Sequence, residues 1–338
     1  DIYNEEKNIS FKMIKYIVTG GAGFIGSHLV EALIKKRKKV VVLDNLSTGR
    51  IDNIKKFKKN LRFIKCDISK EGKWMREFSG KCAVFHLAAL ADIVPSIENP
   101  IKYFDSNVKG TLNILNACRK AKIKKFVYSA SSSCYGIPKN YPTKENEKIN
   151  PKFPYALTKK MGEDLVMHWA EVYKIPIISL RLFNVYGTRS RTSGTYGAMF
   201  GVFLAQKIAK KPYTIVGNGK QTRDFTYVSD VVSAFIKASK SNLNKEILNV
   251  GSGKTVSILE IIKLLEGKKI HIKKRPGEPD CTFANIKKIK QKLNWRPKID
   301  INQGIKFLLN DINYWKKAPV WTPKKINNAT KLWFKHLK

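Results

Sequence analysis

Tyr155 and Lys159 are the two residues whose types and spacing are best suited to chemistry. Side chains four positions apart on a helix lie on the same face, about one turn from each other. A phenol normally titrates at about 10, and a nearby ammonium favours the phenolate, so the tyrosine could act as a base near neutral pH. The same spacing is common on plain helix surfaces, so the surrounding sequence has to distinguish the two interpretations.

Three consecutive serines are a second set of candidate side chains. Ser131, Ser132 and Ser133 follow an apolar stretch that begins at Val127, and the run ends at Gly136. Ligands of parallel α/β sheets bind at the carboxyl ends of the strands. These hydroxyls are therefore predicted to face a cleft, the alternative being an ordinary serine-rich loop.

A glycine-rich turn near the start of the chain predicts a dinucleotide site. Gly20, Gly23 and Gly26 follow the apolar run at 16–18 and precede a helical pattern over 27–36. One glycine permits the tight turn, one lets backbone N–H groups approach a pyrophosphate, and one lets helix and strand pack closely. The N-terminus of the helix offers further N–H groups and a partial positive charge to the phosphates.

Asp44 indicates which dinucleotide is bound. It ends the next apolar run, Val40–Leu43. A carboxylate at this place accepts hydrogen bonds from the adenosine ribose and repels the additional phosphate of NADP. The sequence therefore predicts NAD, the alternative being a purely structural turn.

The elements that would position these residues form an α/β pattern. We expect a Rossmann-type, doubly wound parallel sheet over residues 13–181 and a smaller C-terminal α/β substrate domain over 182–338, where glycine and proline become frequent. A strand near 247–250 could rejoin the first sheet, and residues 1–12 look like an extension outside the fold. The predicted strands are Tyr16–Thr19, Val40–Asp44, Arg62–Cys66, Ala83–Leu87, Lys125–Ser129 and Ile175–Leu180, with long helical patterns over Tyr103–Lys120 and Tyr155–Tyr173.

Composition excludes several classes of protein. The 338 residues are 43% hydrophobic, which is typical of a folded chain. The net charge of +39 raises nucleic acid as a partner, but 54 of the 65 basic residues are lysines spread along the whole chain. Because phosphate clamping and base recognition favour arginine, we expect solvated lysine faces and no specific nucleic-acid partner.

The distribution of apolar residues and cysteines points to the cytoplasm. No apolar run reaches membrane-spanning length and no secretory signal is visible. The five cysteines are scattered and none forms a CxxC pair, so we expect free thiols and no metal site.

The motifs together closely resemble the extended short-chain dehydrogenase/reductase superfamily, specifically its nucleotide-sugar 4-epimerases. The resemblance covers about residues 14–310. Its motifs, in order, are the glycine turn, Phe85–Ala89, the serine run ending in Tyr135-Gly136, Tyr155–Lys159, Arg181–Gly187, Gly217–Asp230 and Arg275–Asp280.

The resemblance implies NAD-dependent 4-epimerisation of a UDP-sugar, either the N-acetylglucosamine/galactosamine pair, the glucose/galactose pair or both. Tyr155 would remove the proton from the hydroxyl on carbon 4 while hydride passes to tightly held NAD. The resulting 4-keto sugar would rotate and take back hydride and proton on its other face. Ser131 would share the hydrogen bond of the substrate hydroxyl, and Lys159 would also hold the nicotinamide ribose.

The resemblance also implies two sets of binding residues and no metal ligand. The predicted cofactor-binding residues are Gly20, Gly23, Phe24, Ile25, Gly26, Asp44, Asn45, Asp67, Ile68, Leu87, Ala88, Ala89, Asn107, Ser129, Tyr155, Lys159 and Phe183. The predicted substrate-binding residues are Ser131, Ser132, Ser133, Asn184, Arg223, Arg275, Glu278 and Thr282.

Two positions bear on the reaction and the sugar. Dehydratases and decarboxylases of this superfamily carry carboxylates just after the equivalent of Ser131, whereas this chain has Ser132 and Ser133, which favours epimerisation. Thr282 matches the position beside the substituent on carbon 2, where a small residue accompanies N-acetylated sugars. The alternatives are another nucleotide-sugar enzyme (a UDP-glucuronate epimerase, a dehydratase or a decarboxylase) and a catalytically silent NAD-binding relative.

The resemblance further implies a homodimer built from helices at about 102–121 and 153–173. Leu157, Met161 and Leu165 would give the second helix an apolar outer face. His86, in the cofactor-supporting segment, is expected to have a structural or cofactor-contacting role. The aromatic-rich stretch from Trp315 to Trp333 carries no motif that assigns it a function.

Overall fold

Residues 14–190 and 199–337 are described by the computed structural model, so the predicted extension at 1–12 lies outside the described residues. Within them the strands are β1 Lys15–Thr19, β2 Lys39–Asp44, β3 Leu61–Lys65, β4 Cys82–His86, β5 Lys125–Ser131, β6 Ile177–Leu182, β7 Val185–Tyr186, β8 Tyr213–Val216, β9 Thr222–Arg223, β10 Thr226–Tyr227, β11 Glu246–Val250, β12 Val256–Ser257 and β13 Lys269–Ile272. The α-helices are α1 Phe24–Lys35, α2 Ile93–Glu98, α3 Pro100–Phe104, α4 Gly110–Ala121, α5 Pro154–Val172, α6 Met199–Ile208, α7 Val228–Lys240, α8 Ile258–Leu265, α9 Lys287–Leu293, α10 Ile301–Asn310, α11 Pro323–Ala329 and α12 Lys331–His336.

Across the described ranges, the main sheet contains seven strands in the order β11-β6-β5-β4-β1-β2-β3. Every pairing in it is parallel. The strand order runs in one direction from β1 to β3 and in the other from β4 to β11. Doubly wound sheets bind their ligands at such a switch in strand order, which here lies between β1 and β4. The architecture confirms the predicted α/β class, and β11 (Glu246–Val250) lies at the edge of this sheet beside β6.

Both faces of the sheet are covered by helices. Val18 of β1 belongs to one core cluster with Leu29 of α1, and its neighbour Ile17 belongs to a second with Leu115 of α4 and Val166 of α5. Side chains that alternate along a strand thus enter two cores. This explains why the strands are continuously apolar rather than alternating with polar residues.

The helix before β5 contains a π-helical turn. The sequence predicts one regular helix over 103–120, but residues Asp105–Lys109 between α3 and α4 are π-helical. Such turns are rare and occur mostly at functional sites. Here the turn contains Asn107, whose buried side chain bonds the Leu90 backbone and the Thr158 hydroxyl of α5.

The later part of the chain forms a lobe with its own core and three small two-stranded sheets, β10-β7, β12-β9 and β13-β8, among the residues described. The short 3₁₀ helix Ile312–Trp315 and helices α10 to α12 belong to the same part. No helix of residues 14–190 or 199–337 is long and apolar enough to cross a membrane. All five cysteines are free.

A buried ion pair attaches α5 to the sheet. Arg181 of β6 donates from Nε to both carboxylate oxygens of Glu163, at 3.1 and 3.0 Å, and the two side chains are 4% and 2% exposed. Ser179 donates to the same carboxylate at 2.8 Å. Arg181 also donates to the Tyr135 hydroxyl, which donates to Asn249 of β11 at 2.7 Å. The network links α5, β6, β11 and the loop after β5.

We predict that Glu163→Gln lowers the free energy of unfolding by about 3–5 kcal/mol, because it leaves the Arg181 guanidinium buried without a countercharge. Urea unfolding followed by circular dichroism measures this. Glu171→Gln is the matched control, since Glu171 pairs with Lys245 on the surface, where water screens the interaction. Equal effects of the two substitutions would contradict the prediction.

Candidate active site

The glycine turn between β1 and α1 has no room for side chains. A Cβ at Gly26 would lie 2.1 Å from the Gly20 carbonyl oxygen, and one at Gly20 would lie 2.8 Å from the Ala88 nitrogen. Gly20 also has a φ of +70°, which favours glycine. The turn therefore packs tightly on the end of β4 and leaves its outer face open to a cavity.

Asp44 stands at the end of β2 beside this turn. Its carboxylate accepts N–H bonds from Ala22 at 2.9 Å and Leu46 at 2.8 Å, and the residue is 7% exposed. Burial raises the pKa of this carboxyl and the two N–H donors lower it. The bonds fix the carboxylate against the glycine turn, where it lines the cavity.

The cavity has a volume of about 580 Å³ and runs from the glycine turn to the second lobe. The predicted cofactor residues that line it are Gly20, Gly23, Phe24, Ile25, Gly26, Asp44, Asn45, Asp67, Ile68, Leu87, Ala88, Ala89 and Ser129. The predicted substrate residues that line it are Asn184, Arg223, Arg275 and Glu278. Two groups of residues from distant parts of the chain thus share one cavity.

The lining residues that were not predicted as site residues include Arg50, Asn53, Arg189, Tyr314 and Trp333. Arg50 and Asn53 follow Asp44 closely in the chain, and Arg189 follows the Arg181–Gly187 motif, so their positions carried a signal. Tyr314 and Trp333 carry none, because only the tertiary fold brings the end of the chain to the cavity.

Other predicted residues lie outside the cavity lining. The side chain of Asn107 is hydrogen-bonded to the Leu90 backbone and the Thr158 hydroxyl. Phe183 is 2% exposed, and its ring lies 6.2 Å from that of Tyr135. Their cofactor-binding roles stay predictions. Ser131, Ser132, Ser133, Tyr155, Lys159 and Thr282 are the remaining members of this group.

Tyr155 lies against the serine run. Burial raises the pKa of its phenol, and hydrogen bonding with Ser131 and Ser133 lowers it. The two serine hydroxyls lie 2.8 Å apart, and the Ser133 N–H donates to Ser131 Oγ at 3.2 Å. These hydroxyls favour the phenolate, whereas the sequence interpretation assigned that effect to Lys159.

Lys159 is buried one turn further along α5. Its Nζ lies 4.4 Å from the centre of the Tyr128 ring, and the residue is 5% exposed. Burial lowers its pKa to about 7, and the charge of Glu163 acts in the opposite direction. At neutral pH, the charged and neutral forms of Lys159 therefore have similar free energies.

His86 is held in one tautomer at the end of β4. The Thr111 hydroxyl donates to the Asn107 carbonyl at 2.6 Å, so it accepts from His86 Nε2 at 2.9 Å. His86 Nδ1 then accepts from the Thr19 hydroxyl at 2.7 Å. The residue is 1% exposed, and burial lowers its pKa to about 3. His86 is a neutral structural group that supports the segment at Ala88.

On the opposite wall, two arginines converge on one carboxylate. Arg223 Nη2 lies 3.7 Å and Arg275 Nε 3.4 Å from the oxygens of Glu278. Thr282 donates its hydroxyl to Asn184 Oδ1 at 2.7 Å. Paired guanidinium groups are suited to bidentate binding of phosphate oxygens, so this wall can hold a diphosphate.

Residues 17–308 match the GDP-mannose 4,6 dehydratase family. The chain belongs to this family. This confirms the resemblance inferred from the motifs.

The family's relatives include several epimerases of nucleotide sugars. The chain is 39% identical to a putative UDP-glucose 4-epimerase of Methanocaldococcus jannaschii, over 87% of this chain and 97% of the relative. It is similar to the solved UDP-N-acetylglucosamine 4-epimerase of Methanobrevibacter ruminantium M1, with 33% identity, a TM-score of 0.82 and coverage of 88% and 99%. It is also similar to the UDP-glucuronic acid 4-epimerase of Bacillus cereus, solved with UDP-glucuronic acid and NAD, with 34% identity, a TM-score of 0.81 and coverage of 89% and 99%.

The residues of this family member fit a dinucleotide. The glycine turn is packed too tightly for side chains at Gly20 and Gly26, and both residues line the cavity. The start of α1 faces the same cavity through Phe24 and Ile25, and Asp44 closes it beyond the turn. A helix N-terminus for phosphates next to a carboxylate for ribose hydroxyls matches the chemistry of NAD.

We predict that His86→Gln reduces the acid sensitivity of this protein. The unfolded chain binds a proton at His86 below a pKa of 6.5, whereas the folded protein binds it only at about 3. Between these two pKa values, the unfolded chain binds more protons than the folded protein. His86 therefore makes the free energy of unfolding decrease as the pH is lowered below 6.5, by up to about 1.4 kcal/mol per pH unit. Urea unfolding at pH 6.5, 5.5 and 4.5 tests this. Parallel pH profiles of both proteins would contradict it.

Proposed function

We propose that this chain binds NAD and interconverts UDP-sugars that differ in configuration at carbon 4. The observation that carries the proposal is the position of Tyr155 against Ser131 and Ser133. This arrangement provides a phenol beside two hydroxyls, and Ser132 and Ser133 stand where sugar dehydratases of the superfamily carry carboxylates. It supports transfer of one proton at a sugar hydroxyl without elimination of water.

In the proposed complex, the chain's residues divide into three tasks. The glycine turn and the start of α1 would hold the pyrophosphate of NAD, with Asp44 and Lys159 holding its riboses. Arg223 and Arg275 would hold the diphosphate of the sugar nucleotide. When bound, NAD would supply the hydride acceptor and donor for carbon 4.

Proton transfer is the task of the third group. Tyr155 Oη would take the proton of the hydroxyl on carbon 4 and return it after the 4-keto sugar has rotated to present its other face. Ser131 and Ser133 would stabilise the phenolate in the interval by donating hydrogen bonds to it. Because burial opposes the charged phenolate, these donors are needed to lower the pKa of Tyr155.

The identity of the sugar depends on the wall near Thr282. Its hydroxyl is bonded to Asn184, a cavity-lining residue, and its side chain is small. We propose that the site accepts the N-acetyl group, so that UDP-N-acetylglucosamine and UDP-N-acetylgalactosamine are substrates, with UDP-glucose and UDP-galactose as further substrates.

We predict that the protein with its bound NAD converts UDP-N-acetylglucosamine into its 4-epimer without added cofactor, as read by NMR. Tyr155→Phe should lower kcat by about 10²–10⁴-fold, because it removes the proposed base, while the NAD content and circular dichroism spectrum stay as in the wild type. UDP-glucose and UDP-glucuronate complete the substrate panel.

Each outcome of this assay has a defined meaning. Wild-type turnover by Tyr155→Phe would overturn the mechanism. A 4-keto-6-deoxy sugar as the main product would establish a dehydratase. If only UDP-glucuronate is converted, it is the substrate in place of the N-acetylated sugars, and Thr282 does not select for the N-acetyl group.

We further propose that the protein is a homodimer. The helical stretch 100–121 and α5 expose large apolar side chains, namely Ile101, Phe104, Leu112 and Leu157, which are 74%, 44%, 38% and 49% exposed. Met161 and Leu165 of α5 are half-buried. Burial of such a surface against a second copy would stabilise a four-helix bundle.

Light scattering at micromolar concentration should give twice the chain mass of 38.5 kDa. Ile101→Glu, which introduces a charge into the proposed interface, should shift the protein towards the monomer with no change in circular dichroism. A wild-type monomer at this concentration would refute the dimer.

A further inference from the structure

The end of the chain extends beyond the family match and returns to the cavity. The match stops at residue 308, whereas the described chain continues through Ile312–Trp315, α11 and α12. Trp315 and Ile326 anchor this C-terminal segment, residues 309–337, in the core of the second lobe. From these anchors, Tyr314 and Trp333 reach the wall of the cavity.

Trp333 contacts the phosphate-binding side of the cavity. Its indole Nε1–H donates to the Pro276 carbonyl at 2.8 Å, and the Arg275 guanidinium lies over its ring at 5.1 Å. The residue is 2% exposed. An indole face attracts a guanidinium, and the bond to Pro276 fixes the backbone next to it. Trp333 therefore restricts where the Arg275 side chain can point.

The same indole approaches the catalytic helix. The Phe153 ring lies 6.2 Å from Trp333 and stacks on the ring of Tyr155, with centroids 6.4 Å apart and an angle of 6° between the planes. Trp333 thus bridges the phosphate side of the cavity and the aromatic pair at the start of α5.

Tyr314 contacts the opposite end of the cavity. Its hydroxyl donates to Asn53 Oδ1 at 3.0 Å, and Asn53 Nδ2 donates to the Ala22 carbonyl within the glycine turn at 2.9 Å. The Arg50 guanidinium lies 5.6 Å from the centre of the Tyr314 ring. The segment is therefore connected to the dinucleotide turn as well as to the phosphate side.

We propose that the C-terminal segment is part of the ligand-binding machinery of this chain, with two separate positioning residues. Trp333 positions Arg275 for the diphosphate of the nucleotide-sugar, and Tyr314 positions Asn53 and the glycine turn for the dinucleotide. This inference rests on the proposed function. Its physical basis is preorganisation, because a side chain already held in its binding geometry loses less entropy when the ligand binds.

The test separates the two ends of the cavity. Trp333→Leu should weaken the binding of UDP, measured by titration calorimetry, about tenfold, and leave the exchange of bound NAD with labelled NAD unchanged. Tyr314→Phe, which removes only the hydroxyl, should speed NAD exchange about fivefold and leave UDP binding unchanged. A segment with a merely structural role would not produce this opposite pair of effects.

Two more variants complete the design. Phe334→Leu is the matched control, since Phe334 follows Trp333 on α12 but does not line the cavity, and its ring lies 5.1 Å from Lys273 Nζ. It should change neither measurement. Trp333→Phe keeps an aromatic face for Arg275 and should recover part of the UDP affinity. Should Trp333→Leu fail to fold, Trp333→Phe decides the question, because unchanged UDP binding in that variant would overturn the inference.

The remaining outcomes distinguish this inference from the proposed function. If the wild type binds both UDP and NAD but Trp333→Leu and Phe334→Leu behave alike, or if Trp333→Leu weakens both ligands equally, the inference alone is overturned. If the wild type binds neither ligand, the proposed function fails and the inference fails with it.

Discussion

The buried pair of Glu163 and Arg181 is the constraint on which the geometry of the candidate site depends. A carboxylate and a guanidinium that leave water lose much solvation, and only near-complete hydrogen bonding compensates for it. Here Ser179 and Tyr135 supply further bonds. Glu163 lies one turn beyond Lys159 on α5. Its pairing with Arg181 therefore also fixes the rotation of α5 about its axis and its position along the sheet, and so the position of Tyr155 on the same helix.

This constraint has an electrostatic consequence at the site. Burial disfavours the charged form of Lys159 and that of Tyr155 alike, lowering one pKa and raising the other. The negative charge of Glu163 partly offsets the effect on Lys159, and the hydroxyls of Ser131 and Ser133 partly offset it on Tyr155. Each charge at the site thus depends on a different neighbour, Lys159 on Glu163 and Tyr155 on the two serine hydroxyls.

Local patterns predicted the sheet well, and most of the predicted cofactor-binding residues line the cavity. The predicted runs Tyr16–Thr19, Val40–Asp44 and Ala83–Leu87 match β1, β2 and β4 to within one residue at each end, because a strand covered on both faces must be apolar throughout. The π-helical turn at Asn107 and the contributions of Tyr314 and Trp333 were not predictable in this way. They depend on contacts between residues far apart in sequence, for which a single chain carries no periodic signal.

On the substrate side of the cavity, hydrogen bonds and close packing hold together segments that are far apart in the chain. Asp224, next to Arg223, is fully buried, and its carboxylate accepts bonds from the Ser252 backbone at 2.6 Å, the Ser252 hydroxyl at 2.7 Å and the Ala284 backbone at 3.0 Å. A Cβ at Gly251 would lie 2.4 Å from Ala284 Cβ, so the segments also pack too closely to shift. A buried carboxylate that lost these donors would be costly. The position of Arg223 in the cavity wall is therefore set by the hydrogen-bonded anchor at the next residue, Asp224.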